Sequence, residues 1–374
     1  MSVLRLIAIA VIFFCTSIAW VILGVSSMSR TGDSHNKLQR EVENLFGTSQ
    51  SIKKPVLFGL EKRQIWITNE ANGKISPSQE NVIHPLSLAS SKIDVDVRLD
   101  RRRKGVLWFP TYRFTFEAKY VFEDRENEPN ERFLDIALDN EKAIYDDIVL
   151  EIDGVKHEDV LPLLTRRSVP IALHRKKHEV KLSFRSTGMQ EINYLITPRQ
   201  GDLDEINHFA LKIKTDFEAV DFPDDSISPT KKTKTGEGWE LEWAFEKTAT
   251  GKDIGLVIPN RLNPGEIIPR VTFFAPVPLL FYFFILIIFS VLEKTPLHPM
   301  NYFFLAATFF AFHLMFSYFS DQMNLYLAFG IAAVVSVFLA SSYLRLFTPT
   351  RFAYVVSGTA QMIYLISFSF SFFY

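Results

Sequence analysis

Four long apolar stretches that are almost free of charge occupy the C-terminal part of the chain. They lie at 273–292, 302–319, 325–344 and 352–373. Each is about 20 residues long, which is the length that an α-helix needs to cross the hydrocarbon core of a bilayer. Helices buried in a soluble bundle would keep a polar face, and these stretches show almost none. The sequence therefore predicts a four-helix transmembrane region over residues 271–374.

A fifth apolar stretch without charge lies near the N-terminus, at about residues 6–26. A cleaved signal peptide is the alternative, and the small residues Gly24, Ser26 and Ser27 would permit cleavage. The apolar region of a signal peptide is only about 7–15 residues long, however, and this stretch is longer. We therefore favour an uncleaved transmembrane anchor over residues 1–27.

The segment 28–54 carries a helical pattern directly after this anchor. Apolar residues such as Leu38 and Val42 recur at helical spacing, and Asp33 or Ser34 is suited to cap the start of a short helix. The sequence thus predicts a separate juxtamembrane helix followed by a linker, with a spacer role favoured over a partner-binding coil.

The charges of the short loops between the apolar stretches predict the orientation of the chain. Lys294, Arg345 and Arg351 lie in the second–third and fourth–fifth loops, whereas the third–fourth loop holds Asp321 and no Lys or Arg. Because positive loops tend to stay in the cytoplasm, these loops and the N-terminus are expected there. Residues 28–270 are then expected to be extracytoplasmic.

Residues 55–270 form a charged block with a different periodicity. All but four of the 41 Lys and Arg residues, and all but two of the 42 Asp and Glu residues, lie within 27–270. Strict alternation of apolar and polar residues is typical of strands with one buried face. It occurs at 93–99, 112–122, 148–152, 180–184, 209–217 and 239–245. We therefore predict a large extracytoplasmic, antiparallel all-β domain of sandwich type.

Turn signals divide this β-rich domain, which is large enough for one elaborated sandwich or for two lobes. They include Asp153-Gly154, Thr187-Gly188 and Gly236-Glu237-Gly238. The region 187–204 is the candidate boundary between two lobes. The Pro- and Lys-containing segment 221–238 is expected to be a long exposed loop.

Signatures of catalysis and of cofactor binding are missing from the sequence. It holds no GxSxG, HExxH, P-loop or CxxC motif, and its one cysteine, Cys15, lies in the anchor. His174 and His178 are four residues apart, but they stand beside three cations and open a strand, which would separate them by about 13 Å. We therefore predict no catalytic, cofactor-binding or metal site, and we interpret this run as a solvated turn.

Basic runs at 101–104, 166–167 and 175–177 are the remaining candidates for ligand binding in the β-rich domain. They could form a face for an anionic lipid, glycan or nucleic acid. The block has a small acidic surplus, which argues against nucleic acid. Solubility and protection of strand edges explain such runs more simply.

One ionisable residue lies in the middle of a predicted span and is the candidate intramembrane polar site. His313 occupies the third span, and ionisable groups at that depth are functional hypotheses by default. Gln361 in the fifth span is the expected hydrogen-bond partner, and Tyr364, Ser336 and Ser341 are others. A neutral polar contact between helices is favoured over a proton or solute path, because the spans contain no Asp, Glu, Lys or Arg partner.

Several segments resemble the CreD family of bacterial inner-membrane proteins. Upstream, Asn44-Leu45-Phe46-Gly47 and Lys54-Pro55-Val56 are similar to the family's short segment after the first span. The closest similarity is in the membrane part, at Phe273-Phe274-Ala275-Pro276-Val277, Leu297-His298-Pro299-Met300-Asn301-Tyr302, Ala340-Ser341-Ser342-Tyr343-Leu344-Arg345 and Gln361-Met362-Ile363-Tyr364-Leu365. The resemblance implies a cell inner-membrane location with a periplasmic domain and a role in cell-envelope integrity. It brings no catalytic residues.

These observations favour a non-enzymatic envelope protein. Its outer β-domain would bind an envelope protein, glycan or lipid, and the spans would hold it in the lipid bilayer. The alternative is a transporter or lipid-handling protein with a cavity near His313, lined by Gln361 and Tyr364. A third hypothesis is an enzyme with an unrecognised site in the outer domain.

Overall fold

The computed structural model describes residues 3–68, 75–105, 107–123, 131–136, 138, 142–157, 169–171, 177–196, 204–261 and 263–373. The chain divides into two compact units. The helical unit comprises Met1–Arg40, Arg103–Trp108 and Arg261–Tyr374, and the β unit comprises Glu41–Arg102 and Phe109–Asn260. Each unit has its own hydrophobic core.

Six helices account for the apolar stretches of the sequence. They are α1 (Val3–Phe46), α2 (Pro264–Phe274), α3 (Pro276–Leu292), α4 (Pro299–Phe319), α5 (Leu325–Arg345) and α6 (Phe352–Phe373). Helices α1, α4, α5 and α6 are each long and apolar enough to cross a membrane, and the bent pair of α2 and α3 makes a fifth candidate. Helices suited to span a membrane are therefore present at all five predicted positions, and α1 and α2 extend beyond the predicted bounds.

Helix α1 differs from the prediction, because it continues without a break through the expected cap at Asp33 or Ser34. Its last residues, Glu41–Phe46, belong to the β unit. No proline interrupts residues 27–46, and the single glycine, Gly32, costs a helix only about 1 kcal/mol. A cap residue can start a helix only where the preceding backbone is not already helical.

The second apolar stretch is bent at Ala275, where α2 and α3 meet at 41°. Pro276 is the first residue of α3, so its missing N–H removes a hydrogen bond to the preceding turn. The missing hydrogen bond at Pro276 accounts for the bend at this point. Helix α2 begins at Pro264, seven residues before the predicted start of the membrane region at 271.

Seventeen strands are described. They are β1 (Gln50–Lys53), β2 (Val56–Thr68), β3 (Ile75–Pro85), β4 (Ser87–Leu99), β5 (Arg102–Lys104), β6 (Leu107–Phe109), β7 (Thr111–Glu123), β8 (Glu131–Asp135), β9 (Tyr145–Ile152), β10 (Val155–His157), β11 (Val169–Ile171), β12 (Lys177–Met189), β13 (Glu191–Leu195), β14 (Asp204–Thr215), β15 (Lys231–Thr235), β16 (Gly238–Thr250) and β17 (Ile254–Val257).

One eight-stranded sheet contains all six of the strands predicted from the sequence. Its order is β10-β9-β12-β7-β4-β14-β16-β15. The prediction of purely antiparallel sheets is wrong within this sheet, since β4 and β14 are parallel. More than a hundred residues separate these two strands in the chain, so no hairpin forces them to run in opposite directions.

Two smaller sheets lie against the same core as the eight-stranded sheet. One has the order β11-β8-β2-β3, and the other, β1-β13-β17, includes the parallel pair β1 and β13. A single cluster joins inward side chains from all three sheets, including Leu57, Phe116, Leu134, Ile192 and Leu256. The arrangement is sandwich-like, and these side chains form one cluster.

Some of the predicted turns and loops belong to strands instead. Thr187 and Gly188 continue β12, and a Cβ on Gly188 would lie 2.5 Å from the hydroxyl oxygen of Tyr112. This glycine therefore permits a close approach and not a turn. The segment 221–238 contains the exposed edge strand β15, whose lysines fit the protection of an edge. Asp153-Gly154 and Gly236-Glu237 do form turns.

Candidate functional site

Helix α1 packs along α4 in the helical unit, and the two helices run in the same direction. Trp20 of α1 lies 5.7 Å from Phe309 between ring centroids, and the hydroxyl of Ser27 lies 2.8 Å from that of Ser317. Trp20 and Ser27 are seven residues apart and share one face of the helix. This face of α1 positions the surroundings of the intramembrane histidine.

His313 lies on α4 with its side chain fully buried. The rings of Phe309, Phe312 and Trp20 stand nearly perpendicular to the imidazole at centroid distances of 4.5, 4.9 and 6.1 Å. Among the described residues, neither ring nitrogen has a hydrogen-bond partner, and the same holds for the indole nitrogen of Trp20. The imidazole is thus enclosed by aromatic rings.

The expected hydrogen bond between His313 and Gln361 is not formed. The side-chain amide of Gln361 donates instead to the hydroxyl of Ser336 at 3.1 Å, and Ser336 donates to the carbonyl of Thr308 at 3.0 Å. Tyr364 is half-buried and stacks on Phe281 at 6.2 Å. The structure therefore does not join His313, Gln361 and Tyr364 in one hydrogen-bonded site.

A polar cluster that sequence reasoning missed lies at one end of the same bundle. The guanidinium of Arg30 pairs with Asp321 at 3.1 Å and donates to the carbonyl and hydroxyl oxygens of Ser317 at 3.3 and 3.0 Å. It also lies 4.6 Å from the ring centroid of Tyr318. Burial raises the pKa of the Asp321 carboxyl, and Arg30 opposes this shift. The cluster links α1 to the turn between α4 and α5.

In the β unit, the exposed face of the eight-stranded sheet is densely charged. Lys92, Lys119 and Lys181 lie directly opposite one another on the adjacent strands β4, β7 and β12. Like charges in such positions repel. Lys119 and Lys181 are offset by Glu179 at 2.7 Å and Glu151 at 2.8 Å, respectively. Hydrogen bonding from Lys119 lowers the pKa of Glu179.

A cavity of about 520 Å³ lies on this polar face, beside the end of α1. Three arginines from adjacent strands, Arg98, Arg113 and Arg185, line it together with the exposed apolar side chains of Leu45 and Ile144. Further cavities of about 540 and 220 Å³ lie on the same face, around Lys181 and Lys212. The polar face therefore carries several clefts, and in the one beside α1 three arginines stand next to exposed apolar side chains.

The arginines of this cavity are held by neighbouring carboxylates. Arg98 pairs with Asp96 at 3.2 Å, Arg113 pairs with Asp100 at 2.9 Å, and Arg185 pairs with Asp147. All three guanidinium side chains remain more than half exposed. Such exposed pairs contribute little to stability, so their arginines can exchange partners at low cost.

Arg102 of the first basic run and His178 of the histidine pair both have local partners. Arg102 pairs with Asp100 at 2.7 Å and lies 4.7 Å from the ring of Phe46, as expected for a structural strand end. His178 was expected in a solvated turn, but it is buried in β12, with its Nδ1 2.8 Å from the carboxylate of Asp153. The turn between β9 and β10 supplies this carboxylate. His174, Arg166, Arg167 and Arg175 lie outside the described residues.

The described residues contain no group of three or more His, Cys, Asp and Glu side chains arranged to hold a metal ion. No protein-family model and no curated protein matches the chain. The chain thus combines a charged β-sheet unit with a helical unit whose helices are suited to span a membrane.

Proposed function

We propose that this chain is a non-enzymatic, multi-pass protein of the cell inner membrane whose β unit binds an envelope protein outside the cytoplasm. The cavity that Arg98, Arg113 and Arg185 line beside Leu45 and Ile144 carries the proposal. Binding sites typically combine an apolar wall with a few convergent polar groups. An acidic segment with an apolar side chain would match both parts of this cavity.

A protein partner fits the cavity better than a glycan does. Leu45 and Ile144 leave 60 and 52% of their surface exposed, and such apolar side chains gain from contact with an apolar residue. Arginine is enriched at the centres of protein interfaces, where it forms two parallel hydrogen bonds with a carboxylate. The partner is therefore expected to present a carboxylate next to an aliphatic or aromatic residue.

The location in the inner membrane is supported by the loop charges and by the resemblance to the CreD family. Lys294, Arg345 and Arg351 lie at one end of the helices, and a cytoplasmic position of that end places the β unit outside. Cell-envelope integrity is the role that the family resemblance supports. Single cysteines at Phe347 and Val155, both exposed, in a chain with Cys15 replaced would report the two sides by labelling of intact cells.

Site-specific photo-crosslinking tests the binding function in intact membranes. A photoreactive residue at Ile144 is expected to give a reproducible adduct with one envelope protein, and the pair Arg113→Gln and Arg185→Gln should weaken it. The matched control is the same photoreactive residue at Val155, which is 62% exposed and belongs to β10. Equal adducts from both positions, or none from Ile144 in a correctly oriented protein, would contradict the proposal.

A further inference from the structure

The helical unit is strongly basic, and its basic residues are concentrated at one end. It contains eleven Lys and Arg residues against four Asp and Glu residues. Seven of the eleven, together with the acidic residues Asp33, Glu266 and Asp321, lie at the end that contains Arg30 of α1 and the start of α2. These seven are Arg30, Lys37, Arg40, Arg103, Lys104, Arg261 and Arg270. The positive-inside rule favours basic residues on the cytoplasmic side, whereas the proposed orientation puts this end outside. The basic residues at this end therefore need a separate physical explanation.

Contacts within the helical unit define where this end lies along the bundle. A Cβ on Gly24 would lie only 2.9 Å from the ring of Phe273, so α1 and α2 pack closely at that level. Arg30 pairs with Asp321 about two turns further along α1. Tyr318 is 55% exposed at the same end, which is the position of aromatic residues at a membrane–water interface.

Arg270 is placed at this interface level by α2. It is exposed, and the next exposed residues on its side of the helix are Phe273 and Phe274, which are 37 and 51% exposed. Residues three and four positions apart lie about 5–6 Å from one another on a helix surface. No ion pair of Arg270 is found in the described part of the chain. The helix thus presents one arginine above two phenylalanines.

Arg261 lies beside the start of α2, next to the short two-stranded sheet of β5 and β6. The backbone N–H of Trp108 donates to the side-chain oxygen of Asn263 at 2.9 Å, and the Asn263 amide donates to the carbonyl of Trp108 at 3.0 Å. The guanidinium of Arg261 lies 4.7 Å from the ring centroid of Trp108. Arg103, in the same sheet, is exposed. The contact with the indole ring thus holds the Arg261 guanidinium beside the start of α2.

We propose that Arg103, Arg261 and Arg270 bind the phosphate headgroups of anionic phospholipids at this end of the helical unit. Guanidinium groups form two parallel hydrogen bonds with a phosphate, and the neighbouring phenylalanines and tryptophan suit contact with the upper part of the acyl chains. The basic residues then have a role in the outer leaflet, which accounts for charge that the proposed orientation leaves unexplained. The inference rests on the membrane insertion in the proposed function, but not on a partner of the β unit.

Photo-crosslinking to lipids in proteoliposomes tests this site. The full chain is reconstituted with equal amounts of phosphatidylglycerol and phosphatidylcholine, and either lipid carries a photoreactive group close to its headgroup. Adducts on the peptides that contain 103–108 and 261–274 are quantified by mass spectrometry. Phosphatidylglycerol adducts are expected to dominate. In the triple variant R103Q/R261Q/R270Q, the ratio of phosphatidylglycerol to phosphatidylcholine adducts should fall by about fivefold for each charge removed.

Two controls separate this inference from its alternatives. The variant K231Q/K232Q/K234Q removes the same net charge from the exposed strand β15 of the β unit and should keep the lipid preference. Competition with free inorganic phosphate distinguishes a lipid headgroup site from a general phosphate site. Equal adducts with both lipids, or unchanged preference in the arginine triple variant, would overturn the inference. Failure to insert into liposomes at all would instead contradict the membrane location.

Discussion

Replacing His313 with an apolar residue should leave the helical unit as stable as before or make it more stable. The imidazole is fully buried, and both of its nitrogens lack a hydrogen-bond partner. A buried polar group without a partner costs about 1–3 kcal/mol. His313→Phe removes this cost and keeps a ring among Phe309, Phe312 and Trp20. The larger ring costs about 1–3 kcal/mol if the surrounding side chains do not adjust.

The two terms are similar in size, so the expected change in the free energy of unfolding for H313F is within about 1 kcal/mol of zero. His313→Leu gives a second estimate with less steric conflict. Unfolding would be followed in detergent micelles by titration with SDS, using circular dichroism. Protein level and envelope-stress sensitivity in cells carrying the variant would be measured in parallel.

Ser336→Ala is the matched control, because Ser336 is also buried in the bundle but connects two hydrogen bonds. Its loss should destabilise the protein by about 0.6–1.7 kcal/mol, the range found for such contacts in membrane helices. A loss of more than about 2 kcal/mol in both His313 variants would refute the reasoning. So would stable, abundant His313 variants that fail in the cell, since the histidine would then act through chemistry and not through packing.

Three further changes follow from contacts in the structure. Asn263→Ala removes both hydrogen bonds to Trp108 and should cost about 1–3 kcal/mol, measured by the same SDS titration. Gly238→Ala places a Cβ 1.8 Å from the carbonyl oxygen of Thr215, so the variant should fail to accumulate as folded protein in a protease-resistance assay. Glu179 has a lowered pKa in the folded state, so its contribution to stability is present above its ordinary value of 4.5 and is lost as pH falls through the lowered pKa. Glu179→Gln should therefore reduce the acid sensitivity of unfolding below pH 4.5.

Each of these changes has a control in the chain. Gly236→Ala affects a turn glycine with φ of 60° and open space around it, so it should cost only about 1–2 kcal/mol, against the clash at Gly238. Asn324→Ala removes a single exposed cap hydrogen bond, to the backbone N–H of Tyr326, and should cost less than Asn263→Ala. Glu237→Gln removes a carboxylate from an exposed turn and should leave the acid sensitivity unchanged. Equal effects of any variant and its control would contradict the corresponding contact.

Local periodicity predicted six strands of the eight-stranded sheet but not how they pair. The alternation at 112–122 and 209–217 reports only that each strand has a buried face. It does not say that β14 pairs with β4, or that the two are parallel, because that choice depends on how all the apolar faces close one core. The length of each apolar stretch likewise predicted the helices, since the bilayer sets that length.

The candidate intramembrane site shows a different limit. Sequence reasoning found His313 because an ionisable residue is rare at mid-span, and it chose Gln361 as partner from chemistry alone. In the structure the Gln361 amide donates to the hydroxyl of Ser336, because hydrogen bonding depends on which helix faces meet. The ion pair of Arg30 and Asp321 was missed for a related reason: no local sequence pattern connects two residues so far apart in the chain. Both residues directly flank apolar stretches, which is the signal that could have suggested them.

The binding proposal and the lipid proposal can be tested independently, because their arginines belong to different units. Arg113 and Arg185 belong to the β unit, whereas Arg261 and Arg270 belong to the helical unit. If the β unit binds an envelope protein, charge removal at its cavity should abolish the protein adduct and leave the lipid preference intact. Charge removal at Arg261 and Arg270 should have the opposite effect. A single defect that follows either substitution would mean that both sets act through the stability of the whole protein, and neither set could then be called a binding site.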